Sequence, residues 1–485
     1  YEFLRHLEHI LQMENGLQTH TVPAESDRRG LVALRMRCET SEIFDGEIDS
    51  QTSNVHRIFE RVFGSGDVLQ SEVPAAKDGV ESGSDSMGLD AGSQPIDDAN
   101  ANQPAAAALS SRDEYFAQLH DAIQKETDFR HQLGAFRRRW SHSIEEIRTA
   151  ELDGILDVQR AKRAQTALAE ASIEIALDLA HEDLERRYNT KIERLRIAVI
   201  GLGKLGGGAI DYGSDLDLVL VYDDPNKALE LPPETAEAEF YSRVAEIFVT
   251  TLSSMTRDGS IYRIDLRLRP YGKNGQSVIS APAFVEYVRA SAAIWELLAY
   301  VKIRAVGGEM NFARELEQSI REIIHTRAGS IDPSDLANET RRVRTLLENE
   351  KVHVRRSKDV DIKYGPGGML DIYFAMRYLQ LRDNIPDRSE DRSTDFMLGV
   401  LRETGSLSAA DHEVLLDGYR FLSALDHDLR LTIGRTTRLP TANQKALDVV
   451  SQRMGLASAA ELVERLTIHR LNIRSSFDKI LSAPL

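Results

Sequence analysis

Three aspartates lie on two segments whose alternation of polar and apolar residues predicts β-strands. In DLDLVLVY, Asp215 and Asp217 should project from one side of the strand while the leucines between the polar positions enter the core. In IYRIDLRLRP, the same alternation places Asp265 on one face with three arginines. Carboxylates that converge repel one another unless cations neutralise them, and all-oxygen sites of this kind suit Mg²⁺. The pattern predicts a magnesium site with these three aspartates as ligands.

Such a site suggests displacement at a phosphorus atom. Two Mg²⁺ ions roughly 3.5 to 4 Å apart would activate an attacking hydroxyl and steady a triphosphate, so that pyrophosphate leaves from the α-phosphorus of ATP. Arg267 and Arg269, on the predicted face of Asp265, would neutralise phosphate charge. The three aspartates are therefore the predicted catalytic residues and metal ligands, with ATP as substrate.

A glycine-rich turn, GLGKLGGGAIDYGS, joins the strand RIAVIG to the first acidic strand. Gly203, Gly206 and Gly207 lack Cβ atoms and would let a nucleotide approach the backbone closely. Lys204 and Ser214 offer a cation and a hydroxyl group. All five are predicted nucleotide contacts.

Each of these motifs has a simpler interpretation. A DLD sequence alone is usually a solvated strand edge, and alternating arginines can be a solvated face. The GxGxxG spacing matches a dinucleotide-binding turn, but only nine residues separate Gly206 from Leu216, whereas a parallel crossover needs about a dozen or more. A P-loop is excluded because Leu205 follows Lys204, where serine or threonine would be needed for magnesium.

A second glycine turn occurs in KYGPGGMLDIYFAMRYLQLR, just before an amphipathic helix. Lys363 before the turn and Asp371 in the first turn of the helix are further candidates for nucleotide binding. The alternative for Asp371 is an ordinary helix start, where an acidic residue is favoured by the helix dipole.

Patterning along the chain predicts an α+β fold with five segments. Residues 111–195 have the periodicity of long helices, 196–310 alternate apolar runs with glycine turns, and 311–485 are again helical. Residues 65–110 form an acidic segment without aromatic residues, which predicts a disordered linker. The mixed sheet domain should therefore lie between helical segments and be followed by an all-α bundle.

Residues 1–64 begin with an amphipathic pattern, YEFLRHLEHILQMENG, that returns later in the chain as YRFLSALDHDLRLTIG. The matched pairs are Tyr1 with Tyr419, His9 with His427, and Gly16 with Gly434. Helix periodicity alone would not match tyrosine, histidine and glycine together, so we expect the tails of two copies of one unit, the first copy lacking its head.

The composition argues against several classes of protein. The formal net charge of -17, without a strong basic patch, disfavours broad nucleic-acid binding. No apolar run approaches the length of a membrane span. The single cysteine, Cys38, fits a reducing compartment, so we expect a cytoplasmic location.

Four segments together resemble the glutamine synthetase adenylyltransferases; these are GLGKLGGGAIDYGSDLDLVLVY, YRIDLRLRPYGKNGQSVIS, WELLAYVKIRAVGG and KYGPGGMLDIYF. The resemblance implies a polymerase-β-like nucleotidyltransferase fold in two copies, each followed by a helical bundle. In that family the first copy removes AMP from glutamine synthetase and the second attaches it. Residues 1–64 are similar to the tail of the removing copy, and residues 111–485 to the attaching copy. The family's metal ligands correspond to Asp215, Asp217 and Asp265.

The chain departs from the family pattern at two positions. Gly213 replaces the usual serine, and Tyr373 replaces the usual acid of a DIEF motif. The resemblance implies AMP transfer from ATP to a tyrosine of glutamine synthetase, with a PII-type signalling protein as regulator. Two other functions are phosphorolytic removal of AMP by the same type of site, and a catalytically silent module for nucleotide sensing or docking.

Overall fold

The computed structural model describes residues 110–189, 195–223, 237–255, 259–352, 359–434 and 436–482, together with residues 29, 33, 36, 38, 40–50 and 191. The chain divides into two compact units, Tyr1–Asp98 and Ala99–Leu485. Of the first unit, residues 41–50 are helical, and Phe44 is fully buried. The predicted linker, apart from Ser110, and most of the predicted N-terminal tail lie outside the described residues.

Three long helices open the second unit, where the sequence predicted a helical lead-in. They are α1 (Arg112–Gln124), α2 (Phe129–Leu152) and α3 (Val158–Tyr188). Polar side chains cap their first turns; Asp157, for example, accepts a hydrogen bond from the backbone N–H of Arg160 at 2.8 Å. Helix α3 is rich in alanine and is buried along most of its length, which allows it to pack closely beneath the sheet.

A mixed five-stranded sheet follows, with β1 (Ile197–Gly201), β2 (Asp215–Tyr222), β3 (Arg263–Asp265), β4 (Val278–Ser280) and β5 (Arg304–Gly308). The strand order is β3-β2-β1-β5, and β4 also pairs with β2. Strand β1 is antiparallel to both β2 and β5. Strands β3 and β4 run parallel to β2, one along its first half and the other along its second.

Helices α4 (Gly203–Gly206), α5 (Glu237–Ser253), α6 (Ala281–Glu286) and α7 (Ile294–Tyr300) connect the strands. The remaining helices are α8 (Met310–Ala328), α9 (Pro333–Val352), α10 (Met369–Arg382), α11 (Thr394–Glu403), α12 (Ala409–Thr432), α13 (Gln444–Arg453) and α14 (Ala459–Ser482). A two-stranded antiparallel sheet, β6 (Val360–Asp361) and β7 (Arg438–Leu439), lies among them. The predicted α+β class is confirmed.

Both faces of the sheet are covered, and the side-chain alternation of β2 shows how. Leu216, Leu218 and Leu220 pack into the core shared with α1–α3 and α5. Val219 and Val221 face the other way, into the core shared with α8 and the later helices. Asp215 and Asp217 have the same parity as these valines, so they lie on the bundle side of the sheet, where β2 begins.

The hydrophobic core continues across residue 310, where the sequence suggested a boundary between two domains. Helix α8 packs directly on β1 and β5, and its Ala313 and Ile320 share one core with Ile200 and with the later helices. In the described residues, no helix is long and apolar enough to cross a membrane.

Candidate active site

The three predicted metal-binding aspartates face one cleft. Parallel pairing of β2 with β3 sets Asp217 opposite Asp265 and Asp215 opposite Arg263. All three aspartates line a cleft of about 440 Å³, together with the side chains of Lys204, Arg267, Lys363, Arg430 and Arg438. The structure therefore brings together the acidic residues of two neighbouring strands, as their spacing predicted.

The closeness of these carboxylates is clearest in the pKa of Asp217. Burial, followed by the nearby charge of Asp265, raises the pKa of Asp217 to about 6, against a partly opposing effect of Lys363. A buried carboxylate with a raised pKa is one whose negative charge is incompletely neutralised by the protein. A cation bound in the cleft would neutralise the remaining negative charge.

Asp265 differs because Arg267 already neutralises it. Strand β3 ends at Asp265, and the carboxylate accepts hydrogen bonds from the backbone N–H of Arg267 at 2.9 Å and from its Nε at 2.9 and 3.0 Å. Burial raises the pKa of Asp265, but these bonds outweigh that effect and hold the pKa below its usual value. Arg267 is largely exposed and remains at the cleft, where a phosphate could compete for its guanidinium group.

The prediction that one long strand would align Arg267 and Arg269 with Asp265 is wrong. The chain turns after Asp265, so side-chain alternation stops there. Arg269 instead donates hydrogen bonds to the backbone carbonyls of Leu266 at 2.8 Å and Gly275 at 3.1 Å. It stabilises the turn and does not line the cleft.

The donor set suits Mg²⁺, although no closed cation cage is formed in advance. Within the described residues, no three acidic, histidine or cysteine side chains are close enough to hold a metal ion by themselves. Mg²⁺ usually takes one or two carboxylates and completes its octahedron with water and substrate phosphates. The raised pKa of Asp217 and the three carboxylates of the lining fit such an open site, with Asp215, Asp217 and Asp265 as the available ligands.

The glycine turn between β1 and β2 supplies the floor of the site. Gly203 has φ +56°, and a Cβ there would lie 2.2 Å from Oδ2 of Asp217. A Cβ on Gly206 would lie 2.0 Å from the carbonyl oxygen of Lys302, so this glycine permits close packing of the turn. None of these three glycines lines the acidic cleft itself, and Gly203 and Gly207 line a smaller cavity beside it.

Two polar side chains of this turn do line the cleft. Lys204 pairs with Asp426 of α12 at 2.9 Å. Ser214 is nearly buried, and its hydroxyl accepts a hydrogen bond from the backbone N–H of Asp211 at 3.2 Å. Gly213, where the family pattern has serine, has φ +63°, a conformation that favours glycine.

The second glycine turn holds Lys363 at the cleft, whereas Asp371 is buried behind it. Burial lowers the pKa of Lys363, and its ammonium group faces the charges of Asp426, Asp217 and Asp215. Asp371 accepts hydrogen bonds from Nε of Arg344 and, at 2.7 Å, from the backbone N–H of Gly367. Its side chain is fully buried and does not line the cleft, so its observed role is to hold the turn.

Sequence reasoning missed a buried ionic network that fixes the loop leading into β2. His427 of α12 is fully buried between Asp211, at 2.9 Å, and Glu151 of α2. Tyr212 donates a hydrogen bond to Glu151 at 2.9 Å, and Lys162 lies 3.5 Å from Asp211. These partners are distant in sequence; the one available signal was that His427 matches His9 in the internal repeat.

Further cleft residues come from the end of the bundle. Arg430 donates a hydrogen bond to the carbonyl of Tyr212 at 2.7 Å and pairs with Asp426 at 3.0 Å. Pairing of β6 with β7 brings Thr437 and Arg438 to the opposite wall. No motif marked these residues, because the small sheet has only two residues in each strand.

The fold and the cleft define a class of protein: an α+β unit in which strand carboxylates and several cationic side chains share one site. Residues 93–319, which contain the three aspartates, match the family described as glutamate-ammonia ligase adenylyltransferase. Residues 1–63 and 340–481 match the family described as GlnD PII-uridylyltransferase. The segment of residues 93–319, which carries the three aspartates, therefore belongs to the glutamate-ammonia ligase adenylyltransferase family.

Curated relatives support the same assignment. The chain is 30% identical over 380 residues to the bifunctional glutamine synthetase adenylyltransferase/adenylyl-removing enzyme of Methylococcus capsulatus, covering 76% of this chain and 39% of that protein. The enzyme of the same name from Burkholderia mallei is 30% identical over 401 residues, covering 78% and 42%. The chain thus spans about two fifths of these relatives, and the resemblance seen in its motifs is confirmed.

Replacing Gly203 with alanine should disturb Asp217 directly. Gly203→Ala and Gly208→Ala both force a Cβ into positive φ, and each should lower the free energy of unfolding by about 1 kcal/mol. Only the first places that Cβ against Asp217, because the space around Gly208 is open. We expect Gly203→Ala to weaken binding of Mg²⁺-ATP at least about tenfold in titration calorimetry, and Gly208→Ala to leave this binding unchanged. Equal effects of the two variants on ATP binding would contradict the predicted contact with Asp217.

The buried His427 should make stability fall at alkaline pH. Burial lowers the pKa of His427, but hydrogen bonds with Asp211 and Glu151 outweigh it and raise the pKa to about 9. A group whose pKa is raised by folding contributes its full stabilisation below about pH 6.5. This stabilisation is lost as the pH rises through about 9. We expect the free energy of unfolding to fall by up to about 3 kcal/mol from this group between pH 7 and 10.

The measurement is urea unfolding at several pH values. His427→Gln should be less stable than the wild type at pH 7, and the difference should shrink towards pH 10. His469→Gln is the matched control, because His469 stacks on Phe421 and its pKa is lowered by burial, with only a smaller opposing effect of the charge of Asp417. A constant difference between His427→Gln and the wild type across this range would contradict a buried imidazolium ion.

Proposed function

We propose that this chain transfers AMP from ATP to a tyrosine hydroxyl of glutamine synthetase and releases pyrophosphate. The observation that carries the proposal is the cleft in which Asp215, Asp217 and Asp265 face Lys363 and Arg267. Carboxylates for divalent ions and cations for phosphates are both needed to handle a triphosphate. The family of the catalytic segment and the names of its relatives supply the substrate.

Mg²⁺, as two ions by the usual geometry of such sites, would supply the electrophilic activation of the α-phosphorus and lower the pKa of the attacking hydroxyl. Asp215, Asp217 and Asp265 would hold the ions, and Lys204, Lys363 and Arg267 would bind the phosphate oxygens. The phenol oxygen forms its bond to the α-phosphorus as the bond to the β-phosphate oxygen breaks, and the phenolic proton passes to solvent. A polymerase-β-like nucleotidyltransferase fold is part of this proposal.

Removal of AMP is the nearest alternative. Inorganic phosphate would attack the same phosphorus in place of a phenol, and the tyrosine oxygen would leave. The name of these relatives includes both activities, and the chain spans only about two fifths of their length. Attachment is favoured because the acidic site follows the predicted linker. In addition, the helix after the second glycine turn keeps Asp371, a position at which the removing copy more often has glutamate.

A silent docking module is the alternative from outside the enzymes. It was suggested by Tyr373, which replaces an acid of the family motif. Tyr373 belongs to α10 and does not line the acidic cleft, whereas all three aspartates do. Retention of the carboxylates and their facing cations favours catalysis over sensing alone.

Regulation and location follow from the same proposal. A PII-type signalling protein is the proposed regulator, in line with the match of residues 1–63 and 340–481 to a PII-uridylyltransferase family. The proposed reaction belongs in the cytoplasm, and it requires neither a nucleic acid nor a membrane as partner.

A labelling assay separates these functions. The chain is incubated with Mg²⁺, purified glutamine synthetase and ATP labelled at the α-phosphorus, beside Asp215→Asn and Asp217→Asn. Attachment predicts label on glutamine synthetase that falls by at least about a hundredfold in both variants, since each removes an ion ligand. Arg269→Gln is a control outside the cleft and should retain most of the transfer.

The other outcomes assign the alternatives. Phosphate-dependent release of ADP from previously modified glutamine synthetase, without labelling, would establish removal. ATP binding without either reaction would support the docking module. Labelling that survives both aspartate substitutions would contradict the assignment of the site.

A further inference from the structure

A second, smaller cavity adjoins the acidic cleft. Its volume is about 140 Å³, and it shares Lys204, Asp217 and Lys363 with the cleft. It is smaller than the roughly 300 Å³ typical of a pocket that encloses a whole ligand. It is therefore suited to one part of a molecule whose remainder lies beside Asp217.

Apolar and aromatic side chains form one wall of this cavity. One face of α10 supplies Met369, Tyr373, Met376 and Arg377, which are spaced three, four, seven and eight residues apart and so lie along the same side of the helix. Tyr419 of α12 closes the wall, with its ring 6.2 Å from that of Tyr373 in an edge-on arrangement. Such a surface favours a flat, weakly polar group over a strongly hydrated one.

Arg377 and Asp426 each bring to this cavity a buried polar atom without a hydrogen-bond partner, and Arg377 is the donor of the two. Its Nε is buried without a hydrogen-bond partner, and its guanidinium carbon lies 6.0 Å from the centre of the Tyr373 ring. Within the described residues it forms no ion pair. Lys302, another cation of the wall, donates to the carbonyl of Arg392 at 2.6 Å, and Lys204 pairs with Asp426 at 2.9 Å where the cavity meets the acidic cleft.

The residue at position 373 explains why Arg377 lacks a partner. The two positions are four residues apart on α10, the spacing at which an acid and an arginine form an ion pair on a helix. This chain has tyrosine at position 373, and its ring cannot form such an ion pair. The Nε–H of Arg377 therefore remains available to a ligand.

We propose that this cavity binds the base of the nucleotide whose phosphates occupy the acidic cleft, with Arg377 as the residue that recognises it. The inference rests on the proposed function and deepens it. Arginine has only donors, and the ring nitrogens of a purine are acceptors; a guanidinium group also stacks on aromatic rings. A second anion is disfavoured, because Asp217 and Asp426 both border the cavity.

The test compares ATP with a ligand that has phosphates and no base. Binding of Mg²⁺-ATP and of Mg²⁺-tripolyphosphate to the full chain is measured by titration calorimetry for the wild type, Arg377→Met and Arg382→Met. The control arginine lies on the same helix but pairs with Asp383 at 2.7 Å, outside the cavity. We expect Arg377→Met to raise the dissociation constant for ATP roughly tenfold and to leave that for tripolyphosphate unchanged, while Arg382→Met changes neither.

A second variant protects the test against misfolding of the first. Ala209→Leu fills the cavity from the glycine turn and should also weaken ATP binding without affecting tripolyphosphate. Equal weakening of both ligands by Arg377→Met would show a phosphate contact and overturn the assignment, as would no weakening by either variant. A wild-type chain that binds tripolyphosphate and ATP equally overturns this inference alone, whereas one that binds neither overturns the proposed function as well.

Discussion

The concentration of negative charge at the start of β2 is the constraint on which the rest of the site depends. Pairing with β3 sets Asp217 opposite Asp265, and burial together with this neighbour raises the pKa of Asp217 to about 6. Taking a carboxylate out of water is costly unless opposite charge is close. Arg267 provides it for Asp265, and Lys363 provides it only in part for Asp217. The residual charge would favour a divalent ion in the cleft.

Buried ion pairs fix the loops that surround this charge. Asp371 accepts hydrogen bonds from Arg344 and from the glycine turn that carries Lys363, and His427 links the loop before β2 to helix α2. Removing one partner of a buried pair is typically far more destabilising than losing a surface pair. The turns on either side of the cleft are thus held by groups that do not themselves line it. Helices before and after the sheet become part of the site in this way.

The sequence predicted the acidic pair well and the arginines less well, for a physical reason. The side chains of the eight residues of β2 point alternately to the two faces of the sheet, so the orientation of Asp215 and Asp217 could be deduced from their spacing alone. Strand β3 has only three residues, and the predicted alternation continued into a turn, which misplaced Arg269. His427, Arg430 and Arg438 reach the site through packing between distant helices and a two-residue strand pair. No local sequence pattern predicts such contacts.

Titration of the chain with Mn²⁺ in place of Mg²⁺, followed by electron paramagnetic resonance in the presence of a non-hydrolysable ATP analogue, tests the central claim most directly. The account predicts ion uptake by the wild type that weakens by up to about tenfold per pH unit below pH 6, where Asp217 becomes protonated. Asp217→Asn should bind weakly at every pH. Uptake that is equally strong in Asp217→Asn, or that does not change between pH 7 and 5, would contradict a cation site built on these aspartates.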